Sequence, residues 1–117
     1  MPSRLYLSNE FSHGAFSRHH GIDIDGPRGE PIVAAADGRV IHSEWTFGAG
    51  NMVIIDHNNG YKTVYFHNDR NHVSVGDVVS RGQHIADIGA TGPTGLYHLH
   101  FEVLRDGIPI DPMQFYR

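Results

Sequence analysis

The spacing of turn-forming residues restricts the fold of this chain more than any other feature. Fourteen glycines and six prolines recur along its 117 residues, and runs rich in β-branched residues fill the intervals. Short runs bounded by glycine, proline or asparagine are typical of strands. Asn58-Asn59-Gly60 favours a hairpin turn between two such runs, because Asn and Gly tolerate positive φ. The pattern predicts an all-β protein.

The sequence predicts very little helix, because no segment keeps a 3.6-residue apolar period. A chain of 117 residues has room for one hydrophobic core, which predicts a single domain over residues 1–117. The predicted strands cover residues 31–34, 39–45, 51–56, 62–67, 84–88 and 98–104.

Two segments carry histidine and acidic residues at spacings that suit a metal ion. On a strand, alternation puts His98, His100 and Glu102 on one face and the intervening apolar residues on the other. In extended chain His19 and Asp23 also share a face, and the glycine between them leaves room for an ion. Two imidazoles and one carboxylate, with water in the fourth position, form a zinc set common in hydrolases.

An ordered series of motifs extends this pattern along the chain. The motifs are His-x-Gly-x-Asp at 19–23, Asp-Gly-x-Val at 37–40, Gly-Asn-x-Val at 50–53, Gly-Tyr-x-Thr-x-Tyr-x-His at 60–67, a Val-x-x-Gly-Gln-x-Ile-like hairpin over 75–85, His-Leu-His-Phe-Glu at 98–102 and Asp-Pro at 111–112. In this order they resemble the catalytic domain of the lysostaphin/LytM-type zinc metalloendopeptidases, which are peptidoglycan hydrolases. The resemblance covers residues 11–116.

The resemblance implies a fold and a site. The fold is a two-sheet antiparallel sandwich of the duplicated hybrid (barrel-sandwich) type, with an open groove along one sheet. The site holds one Zn²⁺ ion on His19, Asp23 and His100, with a water as the fourth ligand. His67 and His98 are implied as the catalytic histidines, which jointly handle the proton of the water and the developing oxyanion.

The other candidate residues carry less specific signals. Glu102 has two open interpretations: it orients the His100 imidazole, or it is an exposed strand carboxylate. His20 is interpreted as a non-ligand, because it points away from His19 in extended chain. The remaining histidines have no ligand-like partners in the sequence and are expected on the surface or in turns, with lining of the site as a second interpretation for His57; they are His13, His42, His57, His72 and His84.

Composition limits the partners and the location. A net charge of −4 with nine scattered basic residues gives no basic stripe, so nucleic acid is not expected. The absence of cysteine excludes thiolate zinc sites and disulfides. No apolar run reaches the length of a membrane span, about 18 residues. Residues 1–11 lack the hydrophobic region of a signal peptide, so either a leader and flanking domains are absent from this chain or export takes another route.

The family resemblance implies hydrolysis of an amide in peptidoglycan cross-links or stem peptides, by a secreted monomer of the cell envelope, periplasmic or extracellular. The loop ahead of the last strand, residues 91–97, departs from the family pattern. Leu96 and Tyr97 replace small or rigid residues there, which should narrow the groove. A glycine bridge and a D,D cross-link both remain open as the bond that is cut.

Three other functions share parts of the pattern. Some relatives have lost ligands and activate other cell-wall hydrolases, whereas every ligand position is filled here. Sugar-phosphotransferase carrier domains use paired histidines on a similar architecture, but they lack the His-x-Gly-x-Asp segment. A lipoyl or biotin carrier needs a lysine at a hairpin tip, and the only lysine, Lys62, lies in a predicted strand.

Overall fold

The computed structural model describes residues 15–18, 21–25, 27–91 and 98–112, and it gives the backbone alone for residues 15–18, 21–25 and 98. Strands dominate these ranges, which contain no α-helix. The strands are β1 Ala15–Arg18, β2 Gly21–Asp25, β3 Pro31–Val33, β4 Gly38–Thr46, β5 Gly50–Asp56, β6 Tyr61–Asn68, β7 Arg70–Asn71, β8 Val78–Val79, β9 His84–Asp87, β10 His98–Arg105 and β11 Ile108–Ile110.

The strands form two antiparallel sheets. The larger sheet has the order β1-β2-β10-β6-β5-β4-β8, with β11 paired to β10, and the smaller sheet has the order β3-β9-β7. The all-β, two-sheet prediction is confirmed. Each of the six predicted strands begins and ends within one residue of the predicted position. The other five strands, of two to five residues, were not among those predicted; they are β1, β2, β7, β8 and β11.

The core lies between the two sheets. Strand β10 contributes Leu99, Phe101 and Val103, which are all buried, as the alternation predicts. They join one apolar cluster with Ile32 of β3 and Ile85 of β9 in the smaller sheet. Complete burial of a side chain of this size contributes about 1.5–3 kcal/mol. The inward face of β10 therefore fixes this strand in the sandwich. Nowhere in the ranges that the structure describes is a helix long and apolar enough to cross a membrane.

A chain of hydrogen bonds runs through this core. His57 Nδ1 lies 2.7 Å from the carbonyl oxygen of Asp37, which can only accept, so Nδ1 carries the ring proton. Thr63 then donates its hydroxyl to His57 Nε2 at 2.7 Å and accepts from the Tyr65 hydroxyl at 2.9 Å. The N–H of Ala35 donates to the same Tyr65 oxygen at 3.0 Å. Burial raises the pKa of Tyr65 to about 12, so this hydroxyl keeps its proton.

His57 is therefore not a surface or turn residue, and that expectation is wrong. His57 is only 7% exposed, and it directly follows Asp56, the last residue of β5. His67 contacts the opposite end of β5, through the carbonyl of Ala49. The second interpretation, that His57 lines the same site as His67, is also wrong.

The burial of His57 predicts a loss of stability in mild acid. Burial lowers the pKa of His57, against the opposing effects of the Asp37 carbonyl and the Asp56 carboxylate. The unfolded chain takes up this proton near pH 6.5 and the folded chain resists it. We expect the free energy of unfolding to fall as the pH drops below about 6.5 toward the lowered pKa. Urea unfolding between about pH 7.5 and pH 5, with a chelator present, measures it.

The variant His57→Gln is the matched comparison, because it retains every other histidine of the chain. Its free energy of unfolding should change less with pH over the same range. Equal pH dependence in the two proteins would contradict the assignment of this effect to His57.

Candidate active site

The register of β10 against its neighbours positions the candidate site. His100 pairs with Asp23 of β2 on one side and with Phe66 of β6 on the other. Directly opposed residues of antiparallel strands share a face of the sheet. His98, two residues before His100, shares that face by alternation. The fold therefore places residues from both predicted metal-binding segments at adjacent positions on one face.

The predicted site residues differ in how far the structure describes them. His67 and His100 are described with their side chains, and their ring centroids are 6.5 Å apart. Asp23 and His98 are placed by their backbone alone, and His19 and His20 lie outside the described residues, as does His13. The complete ligand set thus stays a prediction.

The imidazole of His100 is held by Glu102. Glu102 Oε2 lies 2.9 Å from His100 Nε2, and the two side chains are 16% and 17% exposed. The ring also packs edge-on against Phe66, with centroids 4.9 Å apart and planes 83° apart. Of the two interpretations of Glu102, the orienting carboxylate agrees with this contact and the exposed strand carboxylate is wrong. Carboxylates in this position fix the orientation of metal-binding histidines in proteins.

His67 is positioned by a bulge in β6. Between the pairs Asn51–Asn68 and Val53–Tyr65, β5 advances two residues and β6 advances three. A bulge of this kind redirects a side chain and is common beside active sites. His67 has a φ of +67°, which is uncommon for a residue with a Cβ and marks local strain.

The backbone and the ring of His67 each make a hydrogen bond, and the ring contact sets the tautomer. Its backbone N–H donates to the carbonyl of Ala49 at 2.8 Å, and its ring Nδ1 lies 2.8 Å from the carbonyl oxygen of Thr91. Because that oxygen can only accept, Nδ1 carries the proton and the lone pair of the neutral ring lies on Nε2. This tautomer can take up a proton at Nε2 and return it, which is the requirement for general base and acid work.

Thr91 is itself fixed from two sides. Its hydroxyl donates to the carbonyl of Asn68 at 2.7 Å and accepts from the backbone N–H of Asn51 at 3.0 Å. A Cβ on Gly50 would overlap the backbone of Thr91, so only glycine fits there. The sequence motifs include Gly50 and Asn51, but their function as a support for Thr91 emerges only from the fold. Residues 92–97, with the departure at Leu96 and Tyr97, lie outside the described residues.

Two histidines have partners that the sequence analysis did not find. His72 and His84 both hydrogen-bond to Asp87, at 2.7 Å and 2.6 Å. The expectation that neither has a ligand-like partner is wrong. Within the described ranges, these three residues form the one group whose ligand atoms could together hold a metal ion. This group lies on the smaller sheet, whereas His67 and His100 belong to strands of the larger sheet.

Comparison with known proteins identifies the family. Residues 17–112, which include all the motifs, match the family described as "Peptidase family M23". The chain belongs to peptidase family M23. The resemblance to lysostaphin is thereby confirmed at the family level, and the two-sheet fold agrees with solved M23 structures.

Curated M23 relatives differ in what their names say. The chain is 46% identical to the peptidoglycan DD-endopeptidase ShyB of Vibrio cholerae, over 82% of its own length and 22% of ShyB. It is 43% identical to the murein hydrolase activator NlpD of Escherichia coli K12, over 81% of its length and 25% of NlpD. The chain thus spans about a quarter of the length of these relatives.

Solved M23 structures agree closely with this fold. A zinc-containing peptidase from Vibrio cholerae aligns with a TM-score of 0.79 and 46% identity, over 81% of this chain and 29% of the other. The catalytic domain of lysostaphin from Staphylococcus simulans aligns with a TM-score of 0.77 and 33% identity, over 83% and 77%.

The contact between Gly50 and Thr91 predicts a local loss of structure in Gly50→Ala. Alanine there must adopt a positive φ and also displace the backbone that holds His67 Nδ1. We expect a loss of about 2–4 kcal/mol in the free energy of unfolding and a shifted NMR signal of the His67 ring. Gly48→Ala is the matched control, because Gly48 also has a positive φ but has no atom within 4 Å of its Cβ position.

Gly48→Ala should cost about 1 kcal/mol and leave the signal of His67 unchanged. Equal losses in the two variants, with no change at His67, would show that Gly50 does not support the site through Thr91.

Proposed function

We propose that this M23 chain is a zinc-dependent endopeptidase that hydrolyses amide bonds in peptidoglycan cross-links or stem peptides. The observation that carries the proposal is the β2–β10 register, which sets Asp23 directly opposite His100. His19, Asp23 and His100 are the proposed ligands. Two imidazoles and a carboxylate with an open fourth position suit a catalytic zinc ion. The 46% identity to a zinc-containing peptidase supports the choice of metal.

The surroundings of His100 fit a metal ligand. Because Nε2 faces Glu102, a ligand bond from this ring would use Nδ1. The Glu102 carboxylate makes the imidazole a better electron-pair donor to a metal ion and limits the rotation of the ring. Phe66 packs edge-on against the same ring. When bound, zinc lowers the pKa of a water toward about 7 and polarises the carbonyl of the scissile amide.

His67 and His98 are the proposed catalytic residues. The Thr91 carbonyl keeps the proton of His67 on Nδ1, so Nε2 can accept a proton and later return it to the leaving amine. A protonated imidazole can also donate to the oxyanion of the tetrahedral intermediate. His98 lies on the same strand face as His100 by alternation, so both histidines are available for these two tasks.

The relatives guide the choice of substrate and location. The name of ShyB makes the D,D cross-link the first bond to test, with the glycine bridge as the second. A peptidoglycan substrate places the chain in the cell envelope, in agreement with the envelope lipoproteins among its relatives. The sequence prediction that Leu96 and Tyr97 narrow the groove would favour an extended, unbranched peptide as substrate.

Activation of another cell-wall hydrolase is the second candidate function. The 43% identity to NlpD, named a murein hydrolase activator, favours it specifically. An activator that acts by binding needs neither zinc ligands nor proton-transfer groups. All five positions are occupied here, by His19, Asp23, His67, His98 and His100, and His100 is also supported by Glu102. This residue set supports the enzyme as the first proposal.

Digestion of purified sacculi tests the proposed function. Sacculi with D,D cross-links and sacculi with glycine bridges are each incubated with the protein, with and without a chelator, and the fragments are identified by mass spectrometry. We expect new amine ends that disappear with the chelator and return with zinc. Intact sacculi of both kinds, together with faster digestion by an added amidase, would favour the activator instead.

Two substitutions separate metal binding from proton transfer. His98→Ala should keep its zinc and lose at least about 100-fold in hydrolysis, because proton transfer contributes on that order. His100→Ala should lose the zinc ion of this site together with the activity. Loss of zinc in His98→Ala would make that residue a ligand and overturn its catalytic assignment.

The contact between Glu102 and His100 predicts a lower zinc affinity in Glu102→Gln. Removal of such a supporting carboxylate weakens metal binding about 10- to 100-fold. Competition with a chromophoric chelator measures the dissociation constant. Glu44→Gln is the matched control, since Glu44 also follows a strand histidine by two residues, His42, but is exposed and 3.9 Å from it. Equal affinities in both variants would remove the orienting function from Glu102.

A further inference from the structure

The smaller sheet carries a second group of metal-binding side chains. Its central strand, β9, contributes His84 and Asp87, and His72 directly follows the edge strand β7. The backbone N–H of His72 donates to the carbonyl of Ile85 at 2.8 Å, which extends the pairing of β7 with β9 by one residue. The three side chains therefore stand on neighbouring segments of a hydrogen-bonded sheet.

A bulge in β9 brings His84 and Asp87 to one face. Residues three apart lie on opposite faces of a regular strand. Here β3 advances one residue, from Ile32 to Val33, while β9 advances two, from Ala86 to His84. Both intervening residues, Ile85 and Ala86, are buried in the core, and the two polar residues flanking them turn to the outside.

The three polar groups converge closely. His72 Nε2 lies 2.7 Å from Asp87 Oδ2, and His84 Nε2 lies 2.6 Å from Asp87 Oδ1. The two imidazole rings are 4.5 Å apart between centroids. All three ligand atoms lie within 4.8 Å of one another. A tetrahedral zinc ion needs ligand atoms roughly 3.4 Å apart, so small rotations of these side chains suffice.

We propose that His72, His84 and Asp87 form a second binding site for a divalent transition-metal ion such as Zn²⁺, distinct from the proposed catalytic centre. Each histidine would ligate through Nε2 after its proton moves to Nδ1, and Asp87 would supply one carboxylate oxygen. Imidazole and carboxylate donors suit zinc and its neighbours in the transition series, and water completes the coordination.

The group is accessible from solvent. The side chains of His72, His84 and Asp87 are 33%, 46% and 18% exposed, so an ion can reach them without unfolding the sheet.

His42 shows what an ordinary surface histidine looks like in the same fold. It lies 3.9 Å from Glu44 and hydrogen-bonds to the Thr46 hydroxyl at 2.7 Å. Among the described residues, two groups with ligand atoms that suit zinc meet there, His42 and Glu44. The group on the smaller sheet differs because two histidines share one carboxylate, which is one donor more than a simple histidine–carboxylate pair supplies.

An ion in this site would also join two segments. His72 follows β7, whereas His84 and Asp87 belong to β9, and β7 has only two residues of its own. Metal binding to the folded state alone stabilises it by mass action. Zinc should therefore raise the melting temperature, by roughly 5–10 °C at saturating concentrations for a chain of this size.

Zinc stoichiometry tests the proposal. The full chain is dialysed to equilibrium against buffered zinc, and bound metal is measured by mass spectrometry of the acid-released ion. Variants are His84→Gln and Asp87→Asn, with His42→Gln as the matched control. Glutamine at 84 keeps a hydrogen-bond donor toward Asp87 and is a poor zinc ligand. We expect two ions per chain in the native protein and in His42→Gln, and one ion in the other two variants.

The His100→Ala variant separates this proposal from the proposed catalytic zinc. His100→Ala should retain one ion, and a melting temperature that zinc raises, whereas His84→Gln combined with His100→Ala should retain neither. If His84→Gln binds one ion and still hydrolyses its substrate, the result supports both proposals. Binding of a single ion by the native protein, unaffected by His84→Gln or Asp87→Asn, would overturn the second site. If the native protein binds a single ion and loses it in His84→Gln and Asp87→Asn but not in His100→Ala, the catalytic zinc is overturned instead.

Discussion

Strand β10 connects the hydrophobic core to the candidate site, because its two faces carry opposite chemistry. Leu99, Phe101 and Val103 are buried between the sheets, so the strand cannot shift by one residue without exposing all three. The same alternation holds His100 and Glu102 on the other face, within hydrogen-bonding distance. Burial of the apolar face therefore determines the register in which β2 and β6 approach the histidines.

The site also depends on irregular backbone at its edge. The bulge in β6 and the positive φ of His67 interrupt a regular strand, and hydrogen bonds to Ala49 and Thr91 stabilise that conformation. Gly50 permits the close approach of Thr91. A histidine held in this way loses little conformational freedom when it acts, since its ring orientation and tautomer are already set. Preorganised groups of this kind are more effective in catalysis than mobile ones.

The M23 family includes proteins named as endopeptidases and proteins named as hydrolase activators, and this chain is similar to both. One fold can support different functions, so the side chains of the candidate site carry the distinction between these two. The contact of His100 with Glu102 and the tautomer of His67 are therefore more informative here than overall similarity. The His72–His84–Asp87 group adds chemistry on the smaller sheet that the proposed peptidase mechanism does not use.

The sequence alone determined six of the strands, the family and the shared face of His98, His100 and Glu102. Each follows from residue types and spacing within a short segment, where alternation and turn chemistry act locally. Only the tertiary structure decided that the backbone of Asp23 pairs with that of His100, that Thr91 sets the tautomer of His67, and that His57 is buried. These depend on contacts between residues far apart in the chain, and on strands too short to be recognised without their partners.

The bulges in β6 and β9 show most clearly what residue spacing alone could not predict. A one-residue bulge reverses the face of every residue beyond it, and no local pattern marks where the extra residue falls. In β6 the bulge redirects His67 toward Thr91, and in β9 it unites His84 with Asp87. Residue spacing could therefore identify the histidines of this chain, whereas the hydrogen-bonded sheets decided which of them meet.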